Sequence, residues 1–103
     1  MLELRPNCEY CDKDLPPDSL EAMICTYECT YCRNCVEELL RNVCPTCGGG
    51  LTPRPIRPKA DFRGLGLGLV NHPGSRKRVH LRFGKDDVAA HVERIAHLKP
   101  EER

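Results

Sequence analysis

Apolar positions along the chain come in short, separated groups with two different periods. Val36, Leu39, Leu40 and Val43 fall at i, i+3, i+4 and i+7, which predicts a short helix opened by Cys32-Arg33-Asn34-Cys35. Glu37 and Glu38 lie near its start, where carboxylates suit the positive end of the helix dipole. Ala22, Met23 and Ile24 predict a short strand entering Cys25, with Cys25-Thr26-Tyr27-Glu28-Cys29 as a hairpin tip. In the second half, Leu65, Leu67 and Leu69 alternate with Gly64, Gly66 and Gly68. Val79, Leu81 and Phe83 alternate in the same way with Arg78, His80 and Arg82. Period two on both sides of the turn-like Asn71-His72-Pro73-Gly74-Ser75 predicts a β-hairpin, although glycine in a strand weakens it. Asp86 can cap a helix through Leu98 with Val88, His91, Val92 and Ile95 on one face, which completes a ββα unit.

Breakers divide these groups. Asp12 to Asp18, with Pro16-Pro17 inside, is loop, and Gly48-Gly49-Gly50 ends the first group of elements. Thr52-Pro53-Arg54-Pro55-Ile56-Arg57-Pro58-Lys59 alternates proline with basic residues, a composition that favours an extended spacer. The expected organisation is a module at 1–52, a linker at 53–61 and an extension at 62–103. With 103 residues, no Trp and only two Phe, the chain buries too little apolar surface to order its backbone without a staple.

Eight cysteines supply the staple. They read C-x2-C-x13-C-x3-C-x2-C-x2-C-x8-C-x2-C from Cys8 to Cys47, the spacing of thiolate ligands for two tetrahedral zinc ions. The competing use is disulfides, but the chain opens on Met1-Leu2-Glu3-Leu4-Arg5-Pro6, with no apolar run of a secretory signal, and holds no membrane-length stretch. The expectation is a cytoplasmic protein whose thiols hold metal. The ligands can divide sequentially, Cys8, Cys11, Cys25 and Cys29 against Cys32, Cys35, Cys44 and Cys47. They can also interleave, Cys8, Cys11, Cys32 and Cys35 against Cys25, Cys29, Cys44 and Cys47. Only two residues separate Cys29 from Cys32, so the sequential order would crowd two dianionic clusters, and the spacing favours interleaving.

Cys-Thr-Tyr-Cys-Arg-Asn-Cys before a short helix and Cys-Pro-Thr-Cys after it resembles the RING finger and its cross-brace, over about half of the chain. Cys29 stands where the RING pattern usually has histidine, and thiolate serves zinc equally well. The resemblance implies a RING-like cross-braced α+β module, and in that family a surface that recruits ubiquitin-conjugating enzymes. Tyr10, Leu39 or Leu40, and Pro45 occupy the matching positions; the competing reading has all four pack the module, and it is the one expected for the two leucines. The family's activating basic residue is replaced by Gly48-Gly49-Gly50, which argues against ligase activity. More narrowly, MLELRPNCEYCDKDLPPDS followed by ECTYC looks like a small bacterial zinc-binding family of unknown function.

Net charge is +1 but unevenly placed: residues 1–50 carry four basic and nine acidic side chains, and residues 51–103 carry twelve and six. An acidic zinc head and a basic tail can attract each other, a second copy in a homodimer, or a polyanion. Arg76, Lys77, Arg78, Arg82 and Lys85 form the candidate nucleic-acid surface; the competing reading docks them on the acidic head. Gly64 to Gly68 lacks the Lys-Ser/Thr of a phosphate loop. His72, His80, His91 and His97 form no His-x3-His pair. Two complete four-thiolate sets leave no open position for a catalytic zinc and no thiol for a nucleophile. The sequence therefore points to a non-enzymatic interaction or adaptor module with two structural Zn²⁺ and an unidentified protein partner.

Overall fold

The computed structural model describes all residues, 1–103, and has a small α+β architecture. Strand β1 (Ala22–Ile24) pairs antiparallel with β2 (Thr30–Cys32), Ala22 opposite Cys32 and Ile24 opposite Thr30. Glu28, at φ 68°, makes the left-handed step that closes this hairpin. Strand β3 (Thr52–Pro53) lies on the other side of β1, giving the order β2-β1-β3.

The predicted helix forms directly after β2. Helix α1 (Arg33–Cys35) continues into a single wide π-type turn, Val36–Leu40, which Arg41 and Asn42 end in left-handed conformation. Val36, Leu40 and Val43 are buried as the periodicity predicts, but Leu39 is 48 % exposed. The wide turn has more residues per revolution than the α-helix the spacing assumes, so a residue between two buried ones turns outward. Tyr31, Leu15, Leu40 and Val43 are the largest wholly buried side chains. They share one core with six of the eight cysteines.

The second half departs from its sequence reading. Helix α2 (Lys85–Ile95) is present, and Val88 and Val92 face inward with Ile95 at the margin. Gly84, rather than Asp86, occupies its cap, with Asp86 and Asp87 in the first turn. The expected hairpin does not form: no strand occurs between residues 62 and 84. Gly64, Gly66 and Gly68 all take positive φ, a conformation a strand cannot use, so Leu65, Leu67 and Leu69 wind into a turn instead. At Gly68 a side chain would meet the Ala60 carbonyl oxygen at 2.5 Å. Leu69 N–H donates to Pro58 O and Val70 N–H to Lys59 O, closing a loop that presents Phe62, Leu65, Leu67 and Val70 to solvent.

The partner that residues 79–83 were expected to find in 65–69 is replaced by the chain's beginning. Ser75 N–H donates to Glu3 O, Asn7 exchanges two bonds with Val79, and Leu81 N–H donates to Glu9 O. Every pair is offset by 72 residues, so the two segments run parallel. The Pro/basic stretch is not a free spacer either. Thr52 and Pro53 belong to the sheet, and buried Arg54 donates to the carbonyls of Arg5, Leu15 and Pro16 at 2.8, 3.2 and 2.9 Å. Arg57 holds His72 O and Leu2 O, both at 2.7 Å. Head and tail thus share one core, because α2 seats Val88 and Val92 against the cysteine-bearing elements.

Candidate metal centre

Each cysteine is delivered by a local backbone device. Cys8 and Cys11 sit on a tight turn in which Cys11 N–H points at Cys8 Sγ, 3.5 Å away. Asp12, at φ 67°, turns the chain back immediately after it. Cys44 to Cys47 repeats the device: Gly48 N–H donates to Cys44 O, Gly49 N–H to Cys47 Sγ at 3.3 Å, and Gly48 takes φ 78°. Tyr27 N–H donates to Cys25 Sγ at 3.3 Å. Backbone N–H groups aimed at sulfur favour thiolate over thiol. Cys32 ends β2, and Cys35 lies one helical turn later in α1.

Folding brings the thiols into two groups. Sulfurs of Cys8, Cys11, Cys32 and Cys35 all lie within 4.8 Å of one another, as do those of Cys25, Cys44 and Cys47. The first and third cysteine pairs therefore meet, and the second pair meets the fourth through Cys25. Cys29 lies outside the second set of mutually close sulfurs. Its thiol is nonetheless near Cys44 and Cys25: hydrogen bonding to Cys44, opposed by burial and aided by Cys25, holds it down at about 6. Burial pushes Cys25 up to about 11, and pushes Cys8 and Cys35 up as well. Cys44 is raised by its hydrogen bond to Cys29 and then by burial. At Cys11 burial raises the thiol, but the Lys13 N–H and the neighbouring thiols outweigh it and the net shift is downward.

The geometry fits a tetrahedral metal. Zn–S bonds of about 2.3 Å imply S···S edges of about 3.8 Å, and Cys11 Sγ and Cys32 Sγ are 3.7 Å apart. A disulfide would need about 2.05 Å, and all eight cysteines are free. The donor set is sulfur-rich and mostly buried, which suits a soft divalent ion.

No histidine joins either cluster. His91 Nε2 lies 3.0 Å from Cys44 O and His80 Nε2 3.0 Å from Asp12 Oδ1, while His72 and His97 belong to neither thiol cluster. Of the four residues that the RING resemblance places on a recruiting surface, Leu40 and Pro45 are buried. They are removed from that surface because both fill the head's interior. Leu39 is exposed, and Tyr10 is half-buried with the Lys85 ammonium 5.3 Å over its ring.

The basic cluster divides. Arg78 pairs with Asp12 at 2.9 Å and Asp14 at 2.7 Å, holding the Asp12 carboxyl below its usual range together with His80. Arg76, Lys77 and Arg82 are exposed with no carboxylate within salt-bridge distance. Beside the second cluster, a groove of about 530 Å³ runs between Tyr27, Cys29, Thr46 and Cys47 on one side and the 79–82 segment on the other. Tyr31 lines it, and the Tyr31 hydroxyl, wholly buried, has no hydrogen-bond partner. Sequence spacing marks none of Asn7, Glu9 or Arg54, whose importance lies in buried polar contacts across the chain.

Residues 1–57 match the model of a family described as Protein of unknown function (DUF1272). This chain belongs to that family. It is also 54 % identical, over 79 residues, to Uncharacterized protein R02474 of Rhizobium meliloti (strain 1021), which covers 77 % of the chain and 86 % of that protein. No solved structure matches the chain. The family match ends at residue 57, just after the Arg54 and Arg57 contacts that tie the following segment to the head. No helix is long and apolar enough to cross a membrane.

Proposed function

We propose that this DUF1272 member is a non-enzymatic zinc-binding interaction module, in which two structural Zn²⁺ hold a RING-like cross-brace. Cys8, Cys11, Cys32 and Cys35 hold one ion; Cys25, Cys29, Cys44 and Cys47 hold the other. The observation that carries this reading is the meeting of four thiols from the first and third cysteine pairs, with a 3.7 Å sulfur–sulfur edge. With every thiol committed to metal, the ions serve as cross-links and the loops they fix serve as a rigid surface for a protein partner. Native mass spectrometry of protein purified with zinc is expected to give two ions per chain. Cobalt substitution should give the intense S→Co(II) bands of tetrahedral thiolate. One ion per chain, or octahedral cobalt bands, would sink the reading.

A second reading, binding of a polyanionic nucleic acid, is favoured by Arg76, Lys77 and Arg82, exposed basic residues with no carboxylate partner. Fluorescence anisotropy with short DNA and RNA across a salt series tests it. Binding that weakens steeply with salt and is lost on neutralising these three residues would support it.

A further inference from the structure

Residues 75–81 lie along the head as a ribbon bonded on one side only. Val79 and Leu81 turn their backbone groups toward Asn7 and Glu9. The N–H and C=O groups of Arg78 and His80, which alternate with them, have no partner in the protein. In an extended chain successive residues direct these groups to opposite sides, so the unpaired set forms an open edge. Open edges are templates for strand addition.

Two further features border this edge. The groove beside the second metal cluster is lined by Val79, Leu81, Tyr27 and Tyr31 as its apolar walls and by Arg5, Glu9 and Arg82 as its charged ones. Its volume of about 530 Å³ is ample for one or two side chains. Arg76, Lys77 and Arg82, at either end of the segment, are cations without a carboxylate. Backbone edge, partly apolar groove and unpaired cations match three properties of one kind of ligand.

We propose that the open edge at Arg78 and His80 binds an extended acidic peptide by strand addition, with an apolar side chain of the peptide entering the groove and its carboxylates meeting Arg76, Lys77 and Arg82. This deepens the interaction-module reading and rests on it, since Cys29 and Cys47 of the second metal centre form one wall. A nucleic acid would use the cations, and its phosphates accept from N–H groups, but it has no strand-like ladder that also donates to the alternating C=O groups of an edge.

The probe is a fluorescein-labelled seven-residue peptide alternating glutamate and leucine, titrated into the zinc-loaded full chain by anisotropy. The same peptide with lysine for glutamate and a single-stranded oligonucleotide of equal negative charge serve as controls. The acidic peptide is expected to bind and the lysine peptide not to. His80→Pro deletes the outward N–H together with the imidazole contact to Asp12, and His80→Ala keeps that N–H while losing the same ring contact, so the comparison of the two isolates the N–H. His80→Pro should weaken peptide binding by about tenfold relative to His80→Ala, the effect of one lost backbone bond and its neighbour. Arg82→Gln should weaken it several-fold and flatten its salt dependence. Equal affinities for His80→Pro and His80→Ala, no peptide binding at all, or tighter binding of the oligonucleotide would each overturn the proposal. Zinc content is measured on the same samples. Two ions per chain with no peptide bound would refute the docking edge while leaving the zinc reading standing, whereas fewer than two would refute that reading itself.

Discussion

Asn7 shows how much a single side chain can carry in so small a fold. It is wholly buried, and its amide donates to Cys8 O, Asp12 Oδ1 and Val79 O while accepting from Val79 N–H. It stands in for a strand residue, fixing the tail beside the first metal knuckle. Asn7→Ala should cost about 2–3 kcal/mol in urea unfolding with zinc present, since it strands buried backbone groups of Val79. Hydrogen exchange should quicken first at Val79 and Leu81; unchanged protection there would show that the tail is held otherwise. Asn42 carries a similar double duty, with φ 62° and an Oδ1 that accepts the Leu51 N–H at 2.8 Å. Asn42→Gly keeps the left-handed step and loses only the bond, so it should destabilise less than Asn42→Ala, which loses both; the order of the two urea midpoints checks this. At this scale the cysteines were legible from spacing, because coordination demands a fixed residue type at fixed intervals. Asn7 and Arg54 were not, because a side chain that reads backbone carbonyls 38 to 72 residues away leaves no periodic trace.

Among the elements, the apolar periods identified α1 and α2 but misplaced the tail's extended partner. Periodicity reports which side chains share a face and says nothing of backbone hand. The left-handed glycines at 64, 66 and 68 therefore turned an apparent strand into a loop, and Val79 and Leu81 paired with Asn7 and Glu9 instead. The two thiol clusters also differ as assemblies. Four sulfurs of the first are mutually close, while in the second Cys29 lies outside the tight set. Ligands already positioned need less reorganisation to hold an ion. A graded chelator titration should accordingly release two zinc ions in two steps, the second centre emptying first. Cys47→Ser should remove the weaker step and leave the tighter one. Simultaneous release, or loss of the tighter step in Cys47→Ser, would contradict this order.

For the molecule as a whole, the decisive feature is that the thiol clusters, head and tail share a core. Val88 and Val92 of α2 lie in the same buried cluster as Cys8, Cys25, Cys29, Cys32, Cys35 and Cys44. His91 meets Cys44 O, and Arg54, Arg57 and Arg103 clamp carbonyls across the halves. Composition predicts that the first half depends on metal, since about 10–16 kcal/mol of apparent zinc affinity rivals the whole stability of a domain. The shared core extends that dependence to the second half. Helix α2 has 11 residues, too few to stay helical in water without a surface to cover. Chelation under reducing conditions should therefore abolish the helical circular dichroism of the entire chain in one transition, at the step that removes the more tightly held ion, and amide protection in α2 should vanish together with that of β1 and β2. Restoring zinc should bring both back with the same midpoint. Were α2 to keep its protection in the metal-free chain, the tail would be a separately folded unit, and the arginine clamps would be contacts between finished domains instead of part of one fold.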